Sequence, residues 1–206
     1  MKNFYLPFIF LFNILFFSCK GPEPLPPYTY ESNPHYYLGY ADFYGAYYAQ
    51  FGNLNNTISL SLFSDSLKIN ENGELLGFGQ YLFLEDIFVA PTDTVLSVGT
   101  YRITNKELTE PFTIYAGKND TIDSEVYPIG AYISYFEQNS AKSTYKLITQ
   151  GSFTYSIYNG KAKIVCNFKT ADDKELKGSF TGDLPFFIRS LTPKKSVSRN
   201  VFRYKL

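Results

Sequence analysis

Apolar and polar positions alternate most regularly in the last third of the chain. Phe153, Tyr155 and Ile157 fall on one side of an extended segment, with Thr154 and Ser156 on the other. Asn159-Gly160 follows, a pair that favours the two-residue type I′ turn. Ala162, Ile164, Cys166 and Phe168 then carry the apolar face along the return. This pattern predicts an antiparallel hairpin buried on one side. Residues 171–174 turn again into a third strand over 175–181, with Leu176 and Phe180 on one face.

The same period of two recurs earlier. Ile58, Leu60 and Leu62 alternate with Thr57, Ser59 and Ser61, which predicts a strand with one apolar and one polar face. GFGQYLFLEDIFVAP reads as a largely buried strand that stops before Pro91. YYLGYADFYGAYYAQFG, beginning at Tyr36, reads as one long strand bent at Gly39 and Gly45. Shorter strands are predicted from Thr100, in PFTIYAG, in GAYISYFE and in PFFIRS. The polar stretch 70–74 reads as a turn and 118–127 as an acidic loop. The basic tail over 194–205 either pairs at an edge or dangles.

No window shows the 3.6-residue period of an amphipathic helix. About eight to ten short strands with frequent turn signals predict an all-β domain, an antiparallel barrel or sandwich. The bent, glycine-marked strands tilt this reading toward a lipocalin-like barrel, because closure needs bulges.

The N-terminus follows different rules. Met1-Lys2 is a positive start, and residues 4–17 are almost wholly apolar. Such a run is too short for a bilayer core that needs about 20 residues, but it fits a secretory signal peptide. Ser18 and then Cys19 follow. Here the chain resembles bacterial lipoproteins, whose signal ends in a small residue before an acylated cysteine. The resemblance implies lipidation of Cys19 and attachment to membrane, since two or more acyl chains anchor stably. Lys20 is not the aspartate such families use for inner-membrane retention, so the resemblance implies the outer membrane, on either its periplasmic or its cell-surface face. Five prolines between Pro22 and Pro34 predict an extended spacer. The expected organisation is a signal peptide over 1–18, a lipidated cysteine and tether over 19–35, and one β domain over 36–206.

The domain is also similar to a group of uncharacterised lipoproteins from Gram-negative gut bacteria. The similarity lies in YADFYGAYYAQFGN leading into TISLSLFSD, in VLSVGTYRI, and in GSFTYSIYNG with KGSFTGDL. It implies an all-β, lipocalin-like fold and carries over no catalytic residue.

Composition narrows the chemistry. Nineteen Lys and Arg balance 19 Asp and Glu, so no global field draws nucleic acid. His35 is the only histidine and falls in the predicted tether, which leaves no Ser-His-Asp arrangement within the domain. Cys166 sits on an apolar face and reads as a small buried hydrophobe. Asp120, Asp123 and Glu125 share one polar segment and are a weak calcium candidate, at a spacing that matches no EF-hand. Glu85 and Asp86 are paired carboxylates, but neighbours on a regular strand point to opposite faces. They would flank one bond only across a bulge, with Asp93 as another partner. No cofactor is expected.

There remain 19 tyrosines and 20 phenylalanines, with no tryptophan. Tyr40, Tyr44, Tyr47 and Tyr48 crowd one region and are the candidate ligand contacts, because aromatic faces bind sugars and apolar molecules. The leading expectation is a non-enzymatic envelope lipoprotein that binds a glycan or a small apolar ligand. The alternatives are an assembly subunit that pairs with an envelope partner through edge strands and, more distantly, a hydrolase.

Overall fold

The computed structural model describes residues 30–64, 67–71, 75–106, 110–136 and 144–189. The expected signal peptide, Cys19, the first part of the expected tether and the basic tail lie outside the described residues. The domain is all-β. Its strands are β1 (His35–Gly45), β2 (Asn56–Ser64), β3 (Lys68–Ile69), β4 (Leu75–Leu76), β5 (Gly79–Val89), β6 (Gly99–Thr104), β7 (Thr113–Tyr115), β8 (Lys118–Ile122), β9 (Glu125–Ile129), β10 (Ala131–Phe136), β11 (Thr144–Tyr158), β12 (Lys161–Thr170), β13 (Glu175–Leu176), β14 (Ser179–Gly182) and β15 (Phe186–Ile188). One 3-10 turn, Ala49–Phe51, follows β1, and no α-helix occurs among the described residues.

The expected hairpin is β11–β12, which turns at Asn159 and Gly160 with φ of 49° and 74°. Both angles lie in the left-handed region that the type I′ turn requires. On β12 the odd-numbered residues 161–167 face solvent, while Ala162, Ile164, Cys166 and Phe168 are buried. The third strand of this meander is split: β13 and β14 are separated by Lys177-Gly178.

Followed from neighbour to neighbour, the main sheet runs β5–β2–β1–β14–β12–β11. It returns to β5 through β10 at one end and through β6 and β7 at the other. The arrangement is barrel-like. Pairing is not wholly antiparallel, contrary to the sequence expectation: β1–β14, β1–β15 and β6–β7 are parallel. Topology supplies the reason for the β1–β14 contact. The circuit through β10 has seven strands, and an odd ring cannot alternate direction at every step. The mismatch falls where the first strand of the domain meets one of the last.

One core fills the inside. Tyr36, Leu60, Leu62, Leu82, Leu84, Tyr101, Ile133, Phe153, Ile164, Phe168 and Phe180 are all essentially without solvent contact. Tyr101 and Phe153 stack with ring centroids 4.8 Å apart, a contact that adds to area burial. The Tyr101 hydroxyl donates to the Ser97 carbonyl at 2.9 Å, yet burial pushes its pKa up to about 12. Gly151 has φ of +103°, and a Cβ there would lie 2.2 Å from the Asn167 carbonyl oxygen. Only glycine fits where β11 bends over β12.

The domain begins before Tyr36. Tyr30 packs on the core with its ring 5.8 Å from that of Tyr135. The carbonyls of Ser32 and Pro34 accept from Lys177 N and Ser179 N. His35, expected in the tether, opens β1 and lies 3.3 Å from the Ser179 hydroxyl. Proline lacks a donor but not an acceptor, so the extended end of the spacer docks along the sheet.

Candidate aromatic binding site

The segment read as one long strand is two structures. β1 stops at Gly45, whose φ of 64° turns the chain, and the 3-10 turn ends at Gly52 with φ of 84°. Asn53 closes the corner: its N–H donates to the Tyr48 carbonyl, and its Oδ1 accepts from Asn55 N at 3.0 Å. Aromatic residues that suit a strand are thereby gathered at a corner. Tyr44, Tyr47 and Tyr48 follow one another with centroid separations of 6.5 Å and 5.1 Å. Tyr48 also lies 6.4 Å from Phe51, 5.7 Å from Phe88 and 5.8 Å from Tyr115. Phe88 is fully buried beneath this group, whereas Tyr47 is 38% and Phe51 66% exposed. Leu54 beside them is 67% exposed. The cluster is therefore fixed at its base and open at its rim.

Asp86 anchors the base. The Tyr48 hydroxyl donates to its Oδ2 at 2.7 Å, a hydrogen bond to a charged acceptor that contributes about 1.5–3 kcal/mol. The register explains how Asp86 comes to face the corner. Ile58 pairs with Ile87 but Leu60 with Leu84, so β5 carries one residue more than β2. Leu84 and Ile87 both enter the core. The bulge thus leaves Glu85 and Asp86 together opposite Ser59, not on alternate faces as a regular strand would place them. Core positions accordingly shift from even numbers, Leu82 and Leu84, to odd ones, Ile87 and Val89, and period two cannot do that without an extra residue. The two carboxylates have separate partners, since Glu85 Oε2 accepts from Gly130 N at 2.8 Å.

β1 carries a matching irregularity. Phe43 pairs with Ile58 and Gly45 with Thr57, which leaves Tyr44 as the additional residue. Between the two bulges runs β2, whose supposed polar face is buried along its whole length. Its outward groups are accounted for nearly one by one. Thr57 Oγ1 donates to the Gly45 carbonyl at 3.1 Å, Asn56 Nδ2 donates to the Pro91 and Asp93 carbonyls, and the Ser61 hydroxyl lies 3.3 Å from that of Tyr81. Ser59 Oγ, in a residue 1% exposed, finds no hydrogen-bond partner among the described residues. Directly across from Ser59 on β1 is Asp42. Burial raises the Asp42 pKa above the ordinary carboxylate value, while Arg189, 2.7 Å away through Nη2, acts in the opposite direction.

The other predicted residues fall elsewhere. Tyr40 lies on β1 but joins a separate aromatic group, stacked near Phe63 at 5.9 Å and edge-on to Phe187 at 6.1 Å. Burial pushes its pKa up to about 12. The acidic loop is a regular hairpin, β8–β9, turning at Asp123-Ser124 with φ of 52° and 69°. Asp120 and Glu125 sit on its strands, where the Glu125 carboxylate accepts from the Tyr127 hydroxyl. A hairpin spreads these side chains along a ladder. Among the described residues no group of three or more His, Cys, Asp or Glu is placed to hold a metal. Cys166 is buried, and desolvation raises its thiol pKa well above the usual range. Asp93 accepts from the Ser97 hydroxyl at 2.5 Å and braces the loop after β5.

Compared with known proteins, the chain matches no family model, no curated protein and no solved structure.

Proposed function

We propose that this chain is a non-enzymatic, lipid-anchored envelope protein whose β domain binds a glycan or small apolar ligand at the aromatic corner. The carrying observation is the continuous set of ring contacts from Tyr44 through Tyr47 and Tyr48 to Phe51, rigid at Asp86 and open to solvent at Tyr47 and Phe51. Rigid aromatic faces give contact area at little entropic cost, and a few polar groups fix orientation. That Glu85 and Asp86 are held by Gly130 and Tyr48 supports binding over hydrolysis. The Ser18-Cys19 junction supports attachment to the outer membrane through an acylated cysteine, as the resemblance to lipoproteins implies.

Two measurements test this reading. The full chain, screened against glycans and apolar probes, should bind at least one, and Tyr47→Ala with Phe51→Ala should weaken that binding about tenfold or more. Cys19→Ser should release the protein from membranes, and unchanged retention would refute the anchor.

A second reading, a strand-mediated assembly role, draws on β15. This strand pairs with β1 alone among the described residues, and Ile188 is 80% exposed. Such a short edge accepts an added strand through main-chain hydrogen bonds.

A further inference from the structure

Beneath the aromatic corner lies a polar row that core packing does not need. Asp42 on β1 faces Ser59 on β2, and Ser59 faces the Glu85–Asp86 bulge on β5. Asp42, Ser59 and Asp86 are all buried. Ile58 and Leu60, the neighbours of Ser59, enter the core, so its hydroxyl points to the outer side, the side of the corner. A buried hydroxyl without a partner costs about 1–3 kcal/mol, and an alanine would fill the same position without that cost. Bulges on both flanking strands re-aim Tyr44 and Asp86 at this same level, and bulges recur next to binding sites.

We propose that Asp42, Ser59 and Asp86 form the hydrogen-bonding floor of a subsite for a hydroxyl-bearing ring, a sugar unit whose face stacks on Tyr44 and Tyr47. This rests on the binding reading of the corner and chooses between its two ligand classes. Carboxylates accept from sugar hydroxyls beyond the bonds that Asp42 and Asp86 already take from Arg189 and Tyr48, a serine hydroxyl both donates and accepts, and an apolar ligand would leave the Ser59 hydroxyl unpaired. Tyr44 is half-buried and is the extra residue of its bulge.

The test uses the full chain with maltohexaose, cellohexaose and xylohexaose as sugar probes and 1-anilinonaphthalene-8-sulfonate as the apolar probe. At least one hexasaccharide should bind by calorimetry. Ser59→Ala should weaken it roughly three- to tenfold, the worth of one hydrogen bond, without lowering the melting midpoint of the free protein. A serine that merely supports the fold would lower the midpoint on replacement and leave affinity alone, and that result overturns the proposal. Binding of the fluorophore alone, lost in Tyr47→Ala, would also overturn the sugar assignment while the corner stands as a binding face. No binding of any probe removes both.

Discussion

β12 and β2 lie on different walls of the same barrel-like sheet and bury their outer sides in opposite ways. On β12, Lys161, Lys163, Val165 and Asn167 stand in solvent between buried neighbours. On β2, every residue from Asn56 to Ser64 is buried. Both strands alternate apolar and polar residues in sequence, so the difference is not written in either strand. It comes from what lies over the outer face. Nothing described crosses β12. Over β2, Leu67 and Ile69 cover Phe63 and Tyr81 at one end, and Tyr48 covers Phe88 beside the other. Alternation therefore specifies which side faces the core. It does not specify that the other side faces water.

Substitutions can break this comparison. On the inner faces the two walls should behave alike: Phe153→Ala and Leu60→Ala should each cost about 3–5 kcal/mol in chemical denaturation, because both leave cavities in one core. On the outer faces they should part. Ser61→Ala removes a hydroxyl beside the buried Tyr81 hydroxyl and should cost about 1–2 kcal/mol. Asp42 offers a finer test through pH. Its folded pKa is raised, chiefly by burial, so the folded state holds the proton more tightly than the unfolded state. The resulting stabilisation is full below the ordinary aspartate value of 3.8 and is lost as pH rises through the folded pKa. Asp42→Asn should abolish that decline, and parallel stability–pH curves for the two proteins would refute it. Smallest of all, Lys163→Ala on the exposed face of β12 should stay within about 0.5 kcal/mol of the parent. An equal cost for Ser61→Ala and Lys163→Ala would mean that the cover over β2 does not matter energetically.

The all-β class was legible because Phe153, Tyr155, Ile164 and Phe168 obey period two without exception. The β11–β12 turn was legible because Asn159-Gly160 states its own geometry. Parallel pairing was not. His35 meets Ser179 across the whole length of the domain, and no local pattern encodes such a contact. The β8–β9 hairpin was missed because KNDTI is polar and its ladder is made by backbone groups. The corner was half legible. Tyr44, Tyr47 and Tyr48 were named as one group, but their aromatic character argued for a continued strand, and the turn is set by Gly45 and Gly52. Tyr40 was grouped with them by sequence distance alone, although a strand carries it away toward Phe63. Ser59 gave no signal at all, since its importance lies in the partner it lacks.

β1 also works as a ruler. Tyr30 packs beside the start of this strand, and the aromatic corner lies at its far end. Eleven residues at a strand rise of about 3.3 Å each set the two roughly 35 Å apart. The corner therefore lies at the end of β1 away from Tyr30, where a bulky or polymeric ligand can approach without meeting the edge at which β1 begins.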